Sequence, residues 1–239
     1  MAIYACADLH GRYDLYEKIK AFIKPEDTVF FLGDAGDRGP QSWETIKAIY
    51  NDPQFIYLKG NHEDMLVKAG EEYIGLRDGF VNRRDLERNG GRDTFNDMIK
   101  EPDFINWIKY IHNLPKIDFY YSKALNLKFV LTHAGFTPGI DGMDSLWNRG
   151  DVDFLWNRDH FFDNWPTWIE DFNNVIIVHG HTPIGLMEEV VLDAYGYKED
   201  EPGAFWYCGN HKVNLDVGAV WNDFTVLLNL DTLDEEIIY

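Results

Sequence analysis

Short apolar runs recur along the chain, and each ends in a polar cluster. Ile3 to Ala7 leads into Asp8-Leu9-His10-Gly11, and Thr28 to Leu32 leads into Gly33-Asp34-Ala35-Gly36-Asp37-Arg38-Gly39. Phe55 to Leu58 leads into Gly60-Asn61-His62-Glu63, and Leu127 to Leu131 into Thr132-His133-Ala134-Gly135. Val175 to Val178 leads into His179-Gly180-His181-Thr182-Pro183, and Val213 to Leu215 into Asp216-Val217-Gly218. Near-continuous apolar runs of this length predict strands buried on both faces. Helical spacing separates the early ones. Leu15, Ile19, Phe22 and Ile23 mark a helix over Tyr13 to Phe22, and Trp43, Ile46 and Ile49 mark one over Gln41 to Tyr50, with Pro40 at its start. Strand–helix–strand alternation predicts an α/β fold. Ligands in such sheets gather outside the carboxyl ends of the strands, so the polar clusters are expected to meet there.

The middle of the chain reads differently. Residues 64–113 are helical and charged, broken at Asn89-Gly90-Gly91. Asp118 to Leu131 predicts a hairpin turning near Ser122 to Asn126. Residues 141–172 hold Trp147, Trp156, Trp165 and Trp168, and Leu-Trp-Asn-Arg occurs there twice. This segment serves either as hydrophobic core or as a rim on which a nucleobase stacks. Residues 193–212 are expected to form a loop, and Phe224 to Leu230 a last strand.

Composition narrows the class. With 239 residues and no linker or low-complexity tract, one domain over 1–239 is expected. The net charge of −19 comes from 22 Lys and Arg against 41 Asp and Glu. Such a field repels polyanions, so neither nucleic acid nor an anionic membrane is an expected partner. A phosphate substrate needs local positive charge to enter. No apolar run approaches the roughly 20 residues of a membrane helix, and no secretory signal is visible. Two cysteines, Cys6 and Cys208, do not make a disulfide framework, and a cytoplasmic location is expected.

The clusters carry a specific chemistry. Asp8, His10, Asp34, Asn61, His133 and His181 offer oxygen and nitrogen donors without a thiolate, a set that suits manganese, iron or zinc. Two such ions about 3.5–4 Å apart hold a hydroxide and polarise a phosphoryl oxygen, which hydrolysis of a phosphate ester needs. A lone Asp or His at a strand end is usually a cap or a surface residue. Five clusters in order, each directly after a strand, are not explained that way.

In that order, the motifs Asp8-Leu9-His10-Gly11, Gly33-Asp34 to Asp37-Arg38-Gly39, Gly60-Asn61-His62-Glu63, Thr132-His133-Ala134-Gly135 and Gly180-His181-Thr182-Pro183 resemble the calcineurin-like metallophosphoesterases. Within them they look like the phosphoprotein phosphatase branch, and are nearest in pattern to bacteriophage lambda-type serine/threonine phosphatases and symmetric diadenosine tetraphosphatases. The resemblance implies a two-sheet αββα sandwich, with 64–113 as a helical insert or cap. It implies two divalent metal ions, manganese first and iron or zinc next. Asp8, His10 and Asp34 match the ligands of the first ion. Asp34, Asn61, His133 and His181 match those of the second, with Asp34 bridging. His62 matches the acid that protonates the leaving group, Asp37 the carboxylate that orients it, and Arg38 a phosphate-binding arginine. Arg158 is preferred over Arg149 as a second such arginine. His179 is set aside as a neighbouring or core histidine. Ala35 and Gly36 stand where bulkier residues are usual, which is expected to loosen their loop.

The implied reaction is phosphomonoester hydrolysis on phosphorylated protein. The alternative is a dinucleoside tetraphosphate substrate. A non-catalytic scaffold that keeps the fold is a third reading, and the full set of motif residues argues against it.

Overall fold

The computed structural model describes residues 1–136, 151–158, 174–187, 192 and 202–239. Its first half runs β1 (Ile3–Cys6), α1 (Tyr13–Phe22), β2 (Thr28–Phe31), α2 (Ser42–Asn51), β3 (Phe55–Tyr57), α3 (Asn61–Tyr73), α4 (Val81–Arg88), α5 (Arg92–Met98) and α6 (Phe104–His112). The second half runs β4 (Ile117–Ser122), β5 (Leu127–Thr132), α7 (Asp151–Trp156), β6 (Val175–His179), β7 (Phe205–Tyr207), β8 (Lys212–Asn214), β9 (Thr225–Asn229) and β10 (Glu235–Ile238). Two mixed five-stranded sheets result, ordered β10-β9-β1-β2-β3 and β4-β5-β6-β8-β7. Within them β1, β2 and β3 are parallel, as are β5, β6 and β8.

The apolar runs are continuous because the first sheet is covered twice. Side chains alternate across a strand. Ile3, Ala5, Phe30 and Leu32 face inward and share a core with Phe129, Leu131, Ile177 and Val213 of the second sheet. Tyr4, Cys6, Val29, Phe31 and Tyr57 face the other way, onto a helical layer that includes Leu15, Ile19, Trp43, Ile46, Leu66, Phe95 and Ile108. Leu15 and Ile19 lie four residues apart on one face of α1 and are fully buried. Truncating either to alanine costs about 2–5 kcal/mol. Met65 and Trp107 of the charged middle region belong to this same core. This is the two-sheet α/β architecture expected from the sequence.

Two expectations change. Residues 193–212 are not all loop, because Phe205, Trp206 and Tyr207 form β7, paired antiparallel with β8 from Phe205↔Asn214 to Tyr207↔Lys212. Three residues between Pro202-Gly203 and Gly209 are too few to show a periodicity. Their strand is fastened from outside: the Glu235 carboxylate accepts the Ala204 N–H at 2.8 Å and the Trp206 indole N–H at 2.6 Å. The loop at Ala35 and Gly36 is not loosened either. The Ala35 N–H donates to Glu63 at 2.9 Å, Gly36 O lies 2.8 Å from His10 Nδ1, and a Cβ on Gly36 would meet Ile46 Cδ1 at 2.6 Å. A side chain there would have to push Ile46 of α2 aside. Of the tryptophan-rich segment, only residues 151–158 belong to the described part, so Trp147, Arg149, Trp165 and Trp168 lie outside it. No helix among the described residues is long and apolar enough to cross a membrane.

Candidate metal centre

The strand ends that the sequence singles out converge. Asp8 and His10 follow β1, Asp34 and Asp37 follow β2, Asn61 and His62 open α3, His133 follows β5 and His181 follows β6. Their backbones take an unusual form. Asp8, His10, Asp34, Asp37, Arg38 and His181 have φ between 45° and 72°, the left-handed region. These are six of the ten such non-glycine residues in the described chain, so the strain is concentrated here. Each costs on the order of 1–3 kcal/mol and persists where the surroundings hold it. Gly180 is required for a different reason, since a Cβ there would stand 1.9 Å from Asp8 Oδ2.

Asp34 is the hub. Its Oδ2 lies 3.6 Å from His10 Nε2 and 3.8 Å from His62 Nε2, and its Oδ1 lies 3.4 Å from His133 Nε2. The N-terminus of α3 points at it, with the His62 N–H donating to Oδ1 at 3.0 Å, where a helix favours negative charge. Asn61 Oδ1 sits 2.8 Å from His133 Nε2 and 2.9 Å from His181 Nδ1, and these two ring nitrogens are 3.2 Å apart. Asp8 accepts the His181 N–H at 3.0 Å. The other ring nitrogens are occupied: His10 Nδ1 lies 2.8 Å from Gly36 O and His133 Nδ1 lies 2.9 Å from Leu32 O. Each of these carbonyls fixes a tautomer that leaves Nε2 with its lone pair facing the centre.

The charges fit metal binding. Burial pushes His10, His133 and His181 toward the neutral form, which is the form that binds a cation. Burial also opposes ionisation of Asp34, but His133, His62, His10 and the His62 N–H outweigh it and hold that carboxyl low. Asp8 is pushed up, first by burial and then by Asp216 and Asp34. Mutually repelling buried carboxylates beside neutral imidazoles match the donor set of a hard or borderline divalent cation. Two groups of donor atoms, each within 4.8 Å of one another, have that character: His10, Asp34 and His62, and Asp8, Asp34 and His133. Asp34 belongs to both.

Beside the hub lies a second constellation. His62 Nδ1 is 2.6 Å from Asp37 Oδ2. Burial works against the charged ring, yet Asp34 and Asp37 together hold the His62 pKa above its ordinary value. Arg38 places Nη1 2.7 Å from His10 Nε2 and Nη2 2.9 Å from His62 Nε2. Arg158 is exposed, with Nε 3.3 Å from His181 Nε2. His179 lies off the centre. It is fully buried, with Nε2 2.7 Å from the Tyr207 hydroxyl, and burial lowers its pKa to about 3.

Two residues at the centre were given no role from the sequence. Glu63 accepts the N–H groups of Asp34, Ala35 and Gly60 at 2.8–2.9 Å and the Tyr57 hydroxyl at 2.7 Å, and so shapes the Asp34 loop. Its signal was the last position of Gly-Asn-His-Glu. Asp216, also buried here, stood in the sequence as one more strand-end aspartate.

The chain belongs to the calcineurin-like phosphoesterase family, whose model matches residues 1–218. Serine/threonine-protein phosphatase 2 of Escherichia coli (strain K12) is 30% identical over 142 residues, covering 57% of this chain and 59% of that protein. A symmetrical bis(5'-nucleosyl)-tetraphosphatase of Pseudomonas fluorescens is 29% identical over 143 residues, covering 58% of this chain and 43% of the relative. The chain therefore spans about half the length of the curated relatives it matches. A protein serine/threonine phosphatase from Saccharomyces cerevisiae shares the fold at TM-score 0.57, with 15% identity, 99% of this chain and 78% of that one covered.

Proposed function

We propose that the protein hydrolyses phosphomonoesters with two divalent ions, manganese first, and that its substrate is phosphoserine or phosphothreonine in protein. One observation carries the reaction type: a buried His–Asp pair and an arginine fork border a hub of carboxylate and imidazole donors. In this reading Asp8, His10 and Asp34 hold one ion, and Asp34, Asn61, His133 and His181 hold the other. The ions supply Lewis acidity and a water of lowered pKa. Arg38 takes two phosphate oxygens with its planar fork, and Arg158 reaches the same group from the rim. While Arg38 points at His62 Nε2 it opposes a proton there. Once its N–H groups turn to phosphate, His62 carries that proton and gives it to the leaving oxygen. Asp37 keeps the ring oriented and offsets its charge. We place the protein in the cytoplasm because two cysteines, Cys6 and Cys208, do not make a disulfide framework.

A second reading, a symmetric dinucleoside tetraphosphatase, is favoured by two exposed indoles beside the centre. Trp156 lies 6.1 Å from His181 and the Trp221 ring 5.8 Å from Arg38 Cζ. Purified protein with Mn²⁺ separates the two readings. Faster turnover of a phosphoserine peptide than of diadenosine tetraphosphate is expected. The opposite preference moves the assignment to the second reading, and no turnover of either, or of p-nitrophenyl phosphate, ends both.

A further inference from the structure

Asp216 follows β8 and is 1% exposed. Its Oδ1 accepts the Gly218 N–H at 3.0 Å, whereas Oδ2 has no hydrogen-bond partner. The residue is fixed on both sides. Its own N–H donates to Asn214 Oδ1 at 3.0 Å, and its carbonyl accepts the Ile184 N–H at 2.9 Å. The segment 180–184 that it borders also delivers the His181 N–H to the Asp8 carboxylate. Thr182 Oγ1, in that same segment, is buried and without a partner too. Among the described residues only Thr94 Oγ1 shares that condition. Buried polar atoms in native proteins are nearly always satisfied, so an orphaned carboxylate oxygen points to a donor or a cation. Asp216 is thus tied through Ile184 to the segment that carries His181 and so to Asp8, and its Oδ2 has no N–H to meet it.

We propose that Asp216 is a positioning residue for a hydrated divalent cation in the Asp8 half of the centre, with Oδ2 as its acceptor. The proposal rests on the reading that the centre holds divalent ions, and it adds a third carboxylate to that half. Outer partners of this kind typically change metal affinity by about 10–100-fold when removed.

The test is Mn²⁺ titration of metal-stripped protein by calorimetry, with melting temperatures measured before and after loading. Asp216→Asn keeps an oxygen for the Gly218 N–H and removes the charge. Asp216→Ser serves as the second variant should the first not fold. Expected are two sites in the wild type and about 10–100-fold weaker binding at one of them in the variant. The metal-free variant should melt no lower than wild type, because asparagine keeps the oxygen that accepts the Gly218 N–H. A smaller Mn²⁺-induced rise should follow from the weaker site. A purely structural Asp216 gives the reverse pattern, a lower melting temperature without metal and unchanged affinity, and that result overturns the proposal while the dinuclear reading stands. Wild-type protein that binds no ion overturns both.

Discussion

The floor and the rim of the centre are built on opposite principles. On the floor, Asp8, His10, Asp34, Asn61, His62, His133 and His181 are each at most 6% exposed. They are held by left-handed turns, by the start of α3 and by backbone carbonyls. On the rim, Arg158 is exposed, Trp156 is 39% exposed and Trp221 60%. The floor has one arrangement open to it, and the strain it carries shows that the surrounding packing enforces that arrangement. The rim contributes large flat or charged groups that a substrate can cover. In the proposed function the reaction type thus rests on the buried half and the substrate choice on the exposed half. Substitutions in the first should change turnover by orders of magnitude, and substitutions in the second should change which substrate is preferred.

The largest effect belongs to His62. Replacement by asparagine should lower kcat by about 10²–10⁴-fold on an alkyl phosphate, whose leaving oxygen needs a proton. The loss should be much smaller on p-nitrophenyl phosphate, whose leaving group departs without one. Equal losses on both would assign His62 to metal binding instead, as its place in the donor group with His10 and Asp34 allows. The pH profile sharpens this. His62 has a raised pKa, so the protonated acid is present below that pKa and lost as pH rises through it. Asp37→Asn removes one of the groups that raise it, and the alkaline limb of kcat should move to lower pH.

Arg38→Ala comes next. Loss of a charge-stabilising donor at a phosphoryl centre costs on the order of 10²–10³-fold. It should appear in kcat as well as KM, because the guanidinium touches both His10 and His62. A change confined to KM would place Arg38 on the rim side of the comparison.

The floor was legible in the sequence because strands buried on both faces end abruptly in Asp, His, Asn and Gly, a contrast that needs no knowledge of the fold. Asn61 and His62 at the head of α3 were readable for the same reason. The left-handed backbone at Arg38 was not, since nothing in that residue type asks for it. Glu63 and Asp216 were visible as letters but not as partners, because their contacts to Asp34 and to the 180–184 segment join positions far apart in sequence. The rim was least legible. Trp221 is one of eight tryptophans, and only its placement against Arg38 separates it from buried ones such as Trp43. Strand β7 was missed because its three residues are held by Glu235 from the end of the chain.

His179 tests whether the floor ends where the comparison draws its boundary. In the folded protein its pKa is lowered to about 3 by burial, against roughly 6.5 unfolded. The unfolded chain therefore takes the proton first. The neutral ring contributes its full stability above pH 6.5, and that contribution is lost as pH falls from there toward 3. His179→Gln should cost about 1–2 kcal/mol at neutral pH through a poorer bond to Tyr207. It should also flatten the acid loss in that window, while Mn²⁺ affinity stays unchanged. Urea unfolding at several pH values checks the first two points. A drop in metal affinity would move the boundary of the floor to include His179.

The smallest effect is expected at Trp221. Its turn is rigid: the Trp221 and Asn222 N–H groups both donate to Gly218 O at 2.9 Å, and Arg12 holds the carbonyls of Ala219 and Asn222 at 2.8 and 2.9 Å. A fixed, exposed indole loses little conformational freedom when a flat group stacks on it. Base stacking of this kind contributes roughly 1–3 kcal/mol, and a ring open to water on one side belongs at the low end. Trp221→Ala should therefore raise KM for diadenosine tetraphosphate about 5–10-fold, with little change in kcat. KM for a phosphoserine peptide should hardly move. If both substrates lose equally, Trp221 acts by steadying Arg38 and not by touching substrate. The division between a buried half that sets the chemistry and an exposed half that sets the preference would then fail on this side of the centre.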